Sequence, residues 1–439
     1  MAPRARQVRF HAHACVALEG ETETLLTDPW LFGDVFNGAW SLAAPPDVEG
    51  IDWARLRHVW ISHPHPDHFH LPSLRLIRER APRRITAYCR KEPRSAVARA
   101  LAELGFEVVA LEPHQETRIA PDMSATLFVT GIDSALVVRL GERVVLNQND
   151  CSLTRSEVRL LRERFPRLDA WLFQFSLGGY TANADDHAGL GAARARCLEK
   201  VERYHAAFRP GLFVPFASFF SFAKAGNAHL NDWAVTPADL LSALPELPTQ
   251  VLWSGDALLW EGWEARNLVN GERWEAALRG ARPVAPHAPV DERELETAGR
   301  ALVREVAARG LAFYAPGETH LQVRETGRVA VVDCRRGRFE LRDAADPRRL
   351  AVVIPGDELL YFLRSPHGAS VYFGTCYEVV DADRWRRLRG FRAAMLLGLA
   401  GYFRGIARAR LARLDRRFLG ARLRAWHARL RAGSRPLDA

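Results

Sequence analysis

Apolar residues recur along this chain in two rhythms. From residue 8 to residue 265, short runs rich in Val, Ile, Leu and Phe alternate with stretches of helical spacing. The short runs predict strands over 8–18, 22–28, 57–62, 85–89, 107–111, 124–130, 135–140, 143–147, 170–174, 212–215 and 250–253. Helical spacing predicts helices over 73–80, 92–104, 154–164, 188–208 and 237–243. Paired strands followed by strand–helix units predict an α/β fold for residues 1–270, with two sheets inside and helices outside, an αββα sandwich.

The pattern breaks at residues 283–289, Pro-Val-Ala-Pro-His-Ala-Pro. Three prolines in that span cannot propagate a helix, so it reads as a linker. Residues 290–380 then form a smaller α+β unit. Its helix spans Asp291 to Arg309, with Leu295, Ala298, Leu302, Val303 and Val306 on one face. Strand-like runs follow at 320–324, 329–333, 338–342, 350–354 and 370–379.

Charge separates a third part. Residues 381–439 hold sixteen arginines, no lysine and four acidic residues, a net charge of +12. The whole chain is +9, so residues 1–380 carry about −3. The apolar run Ala393 to Phe403 is too short to span a bilayer. A basic helical tail with an apolar face suits the surface of an anionic membrane. An arginine-rich helical hairpin packed on the protein fits the same pattern equally well. Nucleic acid ranks behind both, because the tail has no reading motif.

Composition narrows the classes. Of 439 residues, 48% are hydrophobic and 26% charged, which is ordinary for a globular protein of two domains. The six cysteines are scattered without a Cys-x-x-Cys pair. That excludes a disulfide framework and a thiolate zinc site. Met1 to Gln7 is basic but no apolar stretch of the signal-peptide kind follows, so the expected location is cytoplasmic, with membrane association through the tail.

The chemistry concentrates in Ile61-Ser62-His63-Pro64-His65-Pro66-Asp67-His68-Phe69-His70. Four histidines and a carboxylate fall within eight positions directly after an apolar strand. Clustering that much titratable surface at a strand end is costly unless a cation organises it. Side chains alternate in extended chain, so His63 and His65 point the same way and can pinch one ion. Asp67 and His68 lie beyond the turn and can reach a second ion. Two divalent ions are therefore expected.

This His-x-His-x-Asp-His run resembles the signature of the metallo-β-lactamase fold. Within that superfamily the chain is most similar to the CMP-N-acetylneuraminate hydroxylase group. Four stretches carry the likeness, in the same order as in the group and across residues 8–265: Asp28-Pro29-Trp30-Leu31 with Gly38-Ala39-Trp40 and Pro45-Pro46; the His run with Leu71-Pro72-Ser73-Leu74; Leu146-Asn147-Gln148-Asn149-Asp150-Cys151; and Val214 to Phe220. The resemblance implies His63, His65, Asp67, His68 and Asp150 as metal ligands, with Asp67 and Asp150 catalytic and Asp150 bridging the ions. It implies Asp28 as support for the ligands. His13, Asn147, Asn149 and Tyr180 are expected to support ligands or meet substrate.

Ordinary hydrolases of this fold carry two further histidines, which the stretches Leu127 to Ser134 and around Pro215 lack. Asp133, His187 and His229 are the available substitutes. A carboxylate-richer shell suits iron oxygenases. The hydroxylase group also carries a Rieske centre, and no matching Cys/His pairs occur here. The expectation is therefore an iron-dependent monooxygenase acting on a small polar or activated substrate, with electrons from a separate protein. Zinc-dependent hydrolysis of an ester or phosphodiester at a membrane surface is the alternative. A non-catalytic metal-binding module is the third class.

Overall fold

The computed structural model describes residues 5–92, 95–280, 284–308, 318–346, 349–365 and 371–380. Two six-stranded sheets face each other. The first runs, edge to edge, Gln7–Ala12, Cys15–Glu19, Thr24–Thr27, Leu56–Ile61, Thr86–Arg90 and Glu107–Leu111, parallel from Thr24–Thr27 onward. The second runs Phe213–Phe216, Ala170–Gln174, Arg143–Asn149, Asp133–Leu140, Met123–Thr130 and Glu116–Ala120, with its first three strands parallel. Between them Phe10, Val16, Leu25 and Trp60 face Leu127, Leu136, Val145 and Leu172 in one buried layer. Helices Leu71–Arg80 and Ala96–Glu103 cover the outer face of the first sheet through Leu74, Ile77, Val97 and Leu101. Helices Arg155–Arg164 and His187–Phe208 cover the second through Val158, Leu161, Val201 and Tyr204. This is the expected αββα sandwich.

Three expected elements differ. The run 8–18 is two strands, because the chain reverses at His13 and Ala14 and Ala12 comes opposite Cys15. No Gly, Pro or Asn marks that turn; His13 itself takes the left-handed conformation, at φ 30°. The run 250–253 joins no sheet ladder. Helix Glu264–Arg279 takes over its backbone groups: Val251 N donates to Asn267 Oδ1, while Asn270 Nδ2 and Trp274 Nε1 donate to the Val251 and Leu252 carbonyls. The run 370–379 folds as a short helix, Val371–Gly374, and a two-residue strand, Glu378–Val379.

The second unit is a five-stranded sheet in the order Arg338–Arg342, Val329–Asp333, Thr319–Val323, Leu350–Ile354, Glu378–Val379. Helices Glu292–Ala308 and Gly356–Arg364 bury Leu295, Leu302, Val306, Leu359 and Phe362 against it. Phe339 packs so close to Gly299 that a Cβ there would lie 2.2 Å from its ring, so helix and sheet meet in this register only through a glycine.

The two units are joined by buried charge. The Lys224 ammonium bonds Asp357 Oδ2 at 2.8 Å and Glu358 Oε1 at 2.5 Å, and His287 Nδ1 faces Asp357 Oδ1 at 2.9 Å. Asn37 Nδ2 also donates to Glu358 Oε1. Among the described residues no helix is long and apolar enough to cross a membrane. The basic tail and its expected membrane face, residues 381–439, lie outside the described residues.

Removing one partner of a buried pair strands the other charge. Lys224→Met should cost about 3–5 kcal/mol of stability, read from the denaturation midpoint. A loss below about 1 kcal/mol, the range of exposed pairs, would refute the interdomain pair.

Candidate metal centre

The parallel strands of both sheets end at one crevice, where α/β folds place their ligands. Leu56–Ile61 runs into the His motif, and Arg143–Asn149 runs into Asp150. Four non-glycine residues with left-handed backbone surround this spot: His13 at φ 30°, Asp28 at 36°, Asn149 at 45° and Ala217 at 46°. Each ends or directly follows a strand and turns the chain at once. Such conformations persist only where their surroundings hold them. Ala217 N donates to the His13 carbonyl, and Asn149 Oδ1 accepts the amide of Asp150.

Two sets of donor atoms converge. His63, His65 and Asp150 form one, and His13, Asp67 and His68 the other; within each set the donor atoms lie within 4.8 Å of one another. The sets adjoin through Asp150, whose Oδ2 is 3.6 Å from His63 Nε2 and 3.7 Å from His68 Nε2. Asp67 Oδ2 is 3.3 Å from both His13 Nε2 and His68 Nε2. The outer nitrogens are anchored. His68 Nδ1 bonds Asp28 Oδ2 at 2.9 Å, and Ser62 Oγ sits 2.9 Å from His63 Nδ1. Asp28 Oδ1 accepts the Ser62 amide. Such partners fix the tautomer and aim the other nitrogen inward.

The donor set fits metal. His63 Nε2, His68 Nε2, Asp67 Oδ1 and Asp150 Oδ1 are buried and make no hydrogen bond. Buried polar atoms pointing at one another without partners are costly unless an ion joins them. Burial pushes His63 down to about 4 and His65 down to about 3, so both are neutral, as ligands must be. His68 is driven the other way: although burial opposes its charge, Asp150, Asp67 and Asp28 together raise it well above the ordinary imidazole range.

The other expected site residues are placed as follows. His13 stands among the donors themselves. Asn149 orients Asp150 from behind, while Asn147 Nδ2 donates to Thr27 Oγ1. Tyr180 stacks on Tyr377 at 5.1 Å and donates to Asn183. Asp133 lies in neither set; burial, and next the Asp150 charge, push it up to about 7. His187 is exposed against Trp233, and His229 lines a small interdomain cavity with Tyr180 and Tyr377. A third group, His287, Asp357 and Glu358, already encloses the Lys224 ammonium. Sequence reasoning missed Ser62 and Phe373; the latter packs on His65 at 4.3 Å.

Known proteins resemble the chain chiefly over its first domain. Residues 23–148 match a model of the beta-lactamase superfamily domain. The cytidine monophosphate-N-acetylneuraminic acid hydroxylase of Xenopus laevis is 24% identical over 273 residues, 58% of this chain and 44% of the relative. That of Asterias rubens is 35% identical over 77 residues, 17% of this chain and 12% of the relative. The chain thus spans less than half the length of these curated relatives. Two solved structures superpose in part. CmlA, a diiron beta-hydroxylase from Streptomyces venezuelae, has a TM-score of 0.42 and 16% identity, covering 58% of this chain and 54% of that one. An isothiocyanate hydrolase from Delia radicum gut bacteria has a TM-score of 0.42 and 16% identity, covering 58% and 99%.

The two sets should behave differently. His13→Ala should remove the ion of the His13–Asp67–His68 set, lowering metal content from about two to about one per chain. Asp150→Ala should lower both occupancies, and retention of two tightly held ions would refute a shared Asp150. With His68 protonated in the metal-free protein, ion uptake releases its proton near neutral pH, whereas His63 and His65 have none to lose. Affinity of the His68 set should therefore fall as pH drops from 8 toward 6, and calorimetry in buffers of different ionisation heat should register about one proton released.

Proposed function

We propose, from the premise that residues 23–148 are a beta-lactamase superfamily domain in a chain similar to the CMP-N-acetylneuraminate hydroxylases, that this protein is a dinuclear iron-dependent monooxygenase. The observation that carries the reading is the composition of the two donor sets. Each contains two imidazoles and one carboxylate: His63, His65 and Asp150; His13, His68 and Asp67. Two histidines and one carboxylate with open positions are the donor set of non-haem iron oxygenases. Bound iron would supply dioxygen activation and insertion of one oxygen atom into a small polar or activated substrate.

The chain's own residues do the rest. Asp28 holds the His68 Nδ1–H and thereby keeps Nε2 turned inward. Ser62 does the same for His63 from Oγ. Asn149 ties the backbone of Asp150 to the end of its strand, so this carboxylate stands between the two sets. Asp133, near 7, is the carboxyl beside Asp150 able to take up or give back a proton at neutral pH. The fold excludes water from these donors, since His13, His63, Asp67 and His68 are buried. A monooxygenase needs two electrons from outside, and a separate electron-transfer protein is the proposed donor. Docking of the tail, residues 381–439, on an anionic membrane remains part of the same proposal.

Protein purified without added metal should contain about two irons per chain and show a visible absorption that changes when the reduced protein meets oxygen. Two zincs, no colour and turnover of ester or phosphodiester probes would replace this reading with hydrolysis. One weakly held ion and neither activity would make the site a binding module.

A further inference from the structure

We propose that Phe373, carried by the second domain, is the specificity-determining wall at the mouth of the two-ion site. The inference rests on the reading of His63, His65 and Asp150 as ligands. Within the two donor sets, His65 and Asp150 alone keep some exposure, with 22% of the Asp150 side chain accessible. The mouth therefore opens on that side. Phe373 stands there, its ring centroid 4.3 Å from that of His65 and tilted by 56°. It is itself half-buried.

Phe373 continues an aromatic border made by the first domain. It lies 5.6 Å from Phe36, which lies 4.6 Å from Trp40. Trp40 stacks on Phe220 at 3.6 Å, and Phe220 meets His13 edge-on at 5.6 Å. A row of rings thus runs from the outer donor set to the inner one. Phe373 is the member that the second domain supplies.

Its position is fixed on both sides. The Gly374 carbonyl accepts from Asn227 Nδ2 at 2.7 Å, and the same amide group bonds the Ala39 carbonyl at 2.9 Å. Downstream, Asn183 forms two 2.8 Å bonds with the backbone of Val379. Upstream, Asp357 and Glu358 hold Lys224. The loop beneath is shaped to match: at Gly179, φ +128°, an added Cβ would come 3.6 Å from both Tyr372 and Phe373. The backbone that carries the ring cannot shift without breaking these interdomain contacts. A substrate reaching the outer donor set must slide past its face, which admits a slender or planar arm and rejects a branched one.

The test uses Phe373→Ala, with Phe373→Leu as a milder variant should the first fold poorly. In metal-free full-length protein, diethyl pyrocarbonate labelling with peptide mapping reads His65 directly, with exposed His187 as the control. His65 labelling should rise about fivefold or more in Phe373→Ala once the ring in contact is removed, with His187 unchanged. In cobalt-loaded protein, acetate and pivalate present the same carboxylate with different bulk. Acetate should perturb the visible spectrum of both proteins alike, whereas the pivalate Kd should drop about tenfold in the variant. Unchanged His65 labelling, or an unchanged pivalate-to-acetate ratio, overturns the proposal. Failure to bind cobalt would instead overturn the metal reading, and His65 labelling would still decide whether Phe373 is the wall.

Discussion

Negative charge buried without enough positive charge to match it governs this molecule. Asp28, Asp67 and Asp150 meet at the carboxyl ends of the two sheets, with four imidazoles between and around them. Of those imidazoles, burial keeps His63 and His65 neutral and lowers His13, so His68 alone is pushed toward its charged form. One imidazolium cannot offset three carboxylates in a place that water barely enters, and the unpartnered atoms Asp67 Oδ1 and Asp150 Oδ1 record the shortfall. Cations resolve it. The same crowding explains why the backbone turns left-handed at four non-glycine positions here: each strand must stop abruptly to bring its ligand into so small a space.

The second domain is best understood from that centre outward. A two-stranded ribbon, Trp40–Leu42 with Phe220–Phe222, lies between the metal crevice and the interdomain face. Its rings touch His13 on one side and, through Phe36, reach Phe373 on the other. Just beyond the ribbon, Lys224 and Asn227 take hold of Glu358 and Gly374. One short stretch of chain therefore both backs the inner ligand set and anchors the domain that stands at the mouth. Loosening the interface would move a wall of the site without touching any ligand.

What was legible in the sequence was what local spacing encodes. His63, His65, Asp67 and His68 share a turn after a strand, so alternation and proximity along the chain already bring them together. Asp28 and Asp150 were legible only through the family resemblance, which places a carboxylate at each of these two strand ends. His13 was recognised as near the site but not as a donor, since its meeting with Asp67 spans 54 positions and depends on a hairpin turn made by the histidine itself. The same turn hid the division of 8–18 into two strands. Tyr180 is expected to support ligands or meet substrate, and the structure puts it against Tyr377 of the other domain. Phe373 gave no signal: an aromatic in an apolar run carries no mark of which face it covers, and its role arises only from how two domains dock.

The two donor sets share a composition but not an environment, and that difference assigns them different work. His13, Asp67 and His68 are almost wholly buried, with His68 tied to Asp28, behind a stack of aromatic rings. Nothing the size of a substrate can reach them without unpacking the core. His63, His65 and Asp150 face the opening, with Phe373 on one side and the Gly178–Gly179 loop nearby. On the proposed reading, chemistry on an incoming molecule belongs to the outer set. The inner set, charged through His68 and coupled to the outer one by Asp150, is placed to fix the charge and position of that shared carboxylate. A change at His13 would then be felt at the outer ligands through Asp150, although His13 belongs to the inner set.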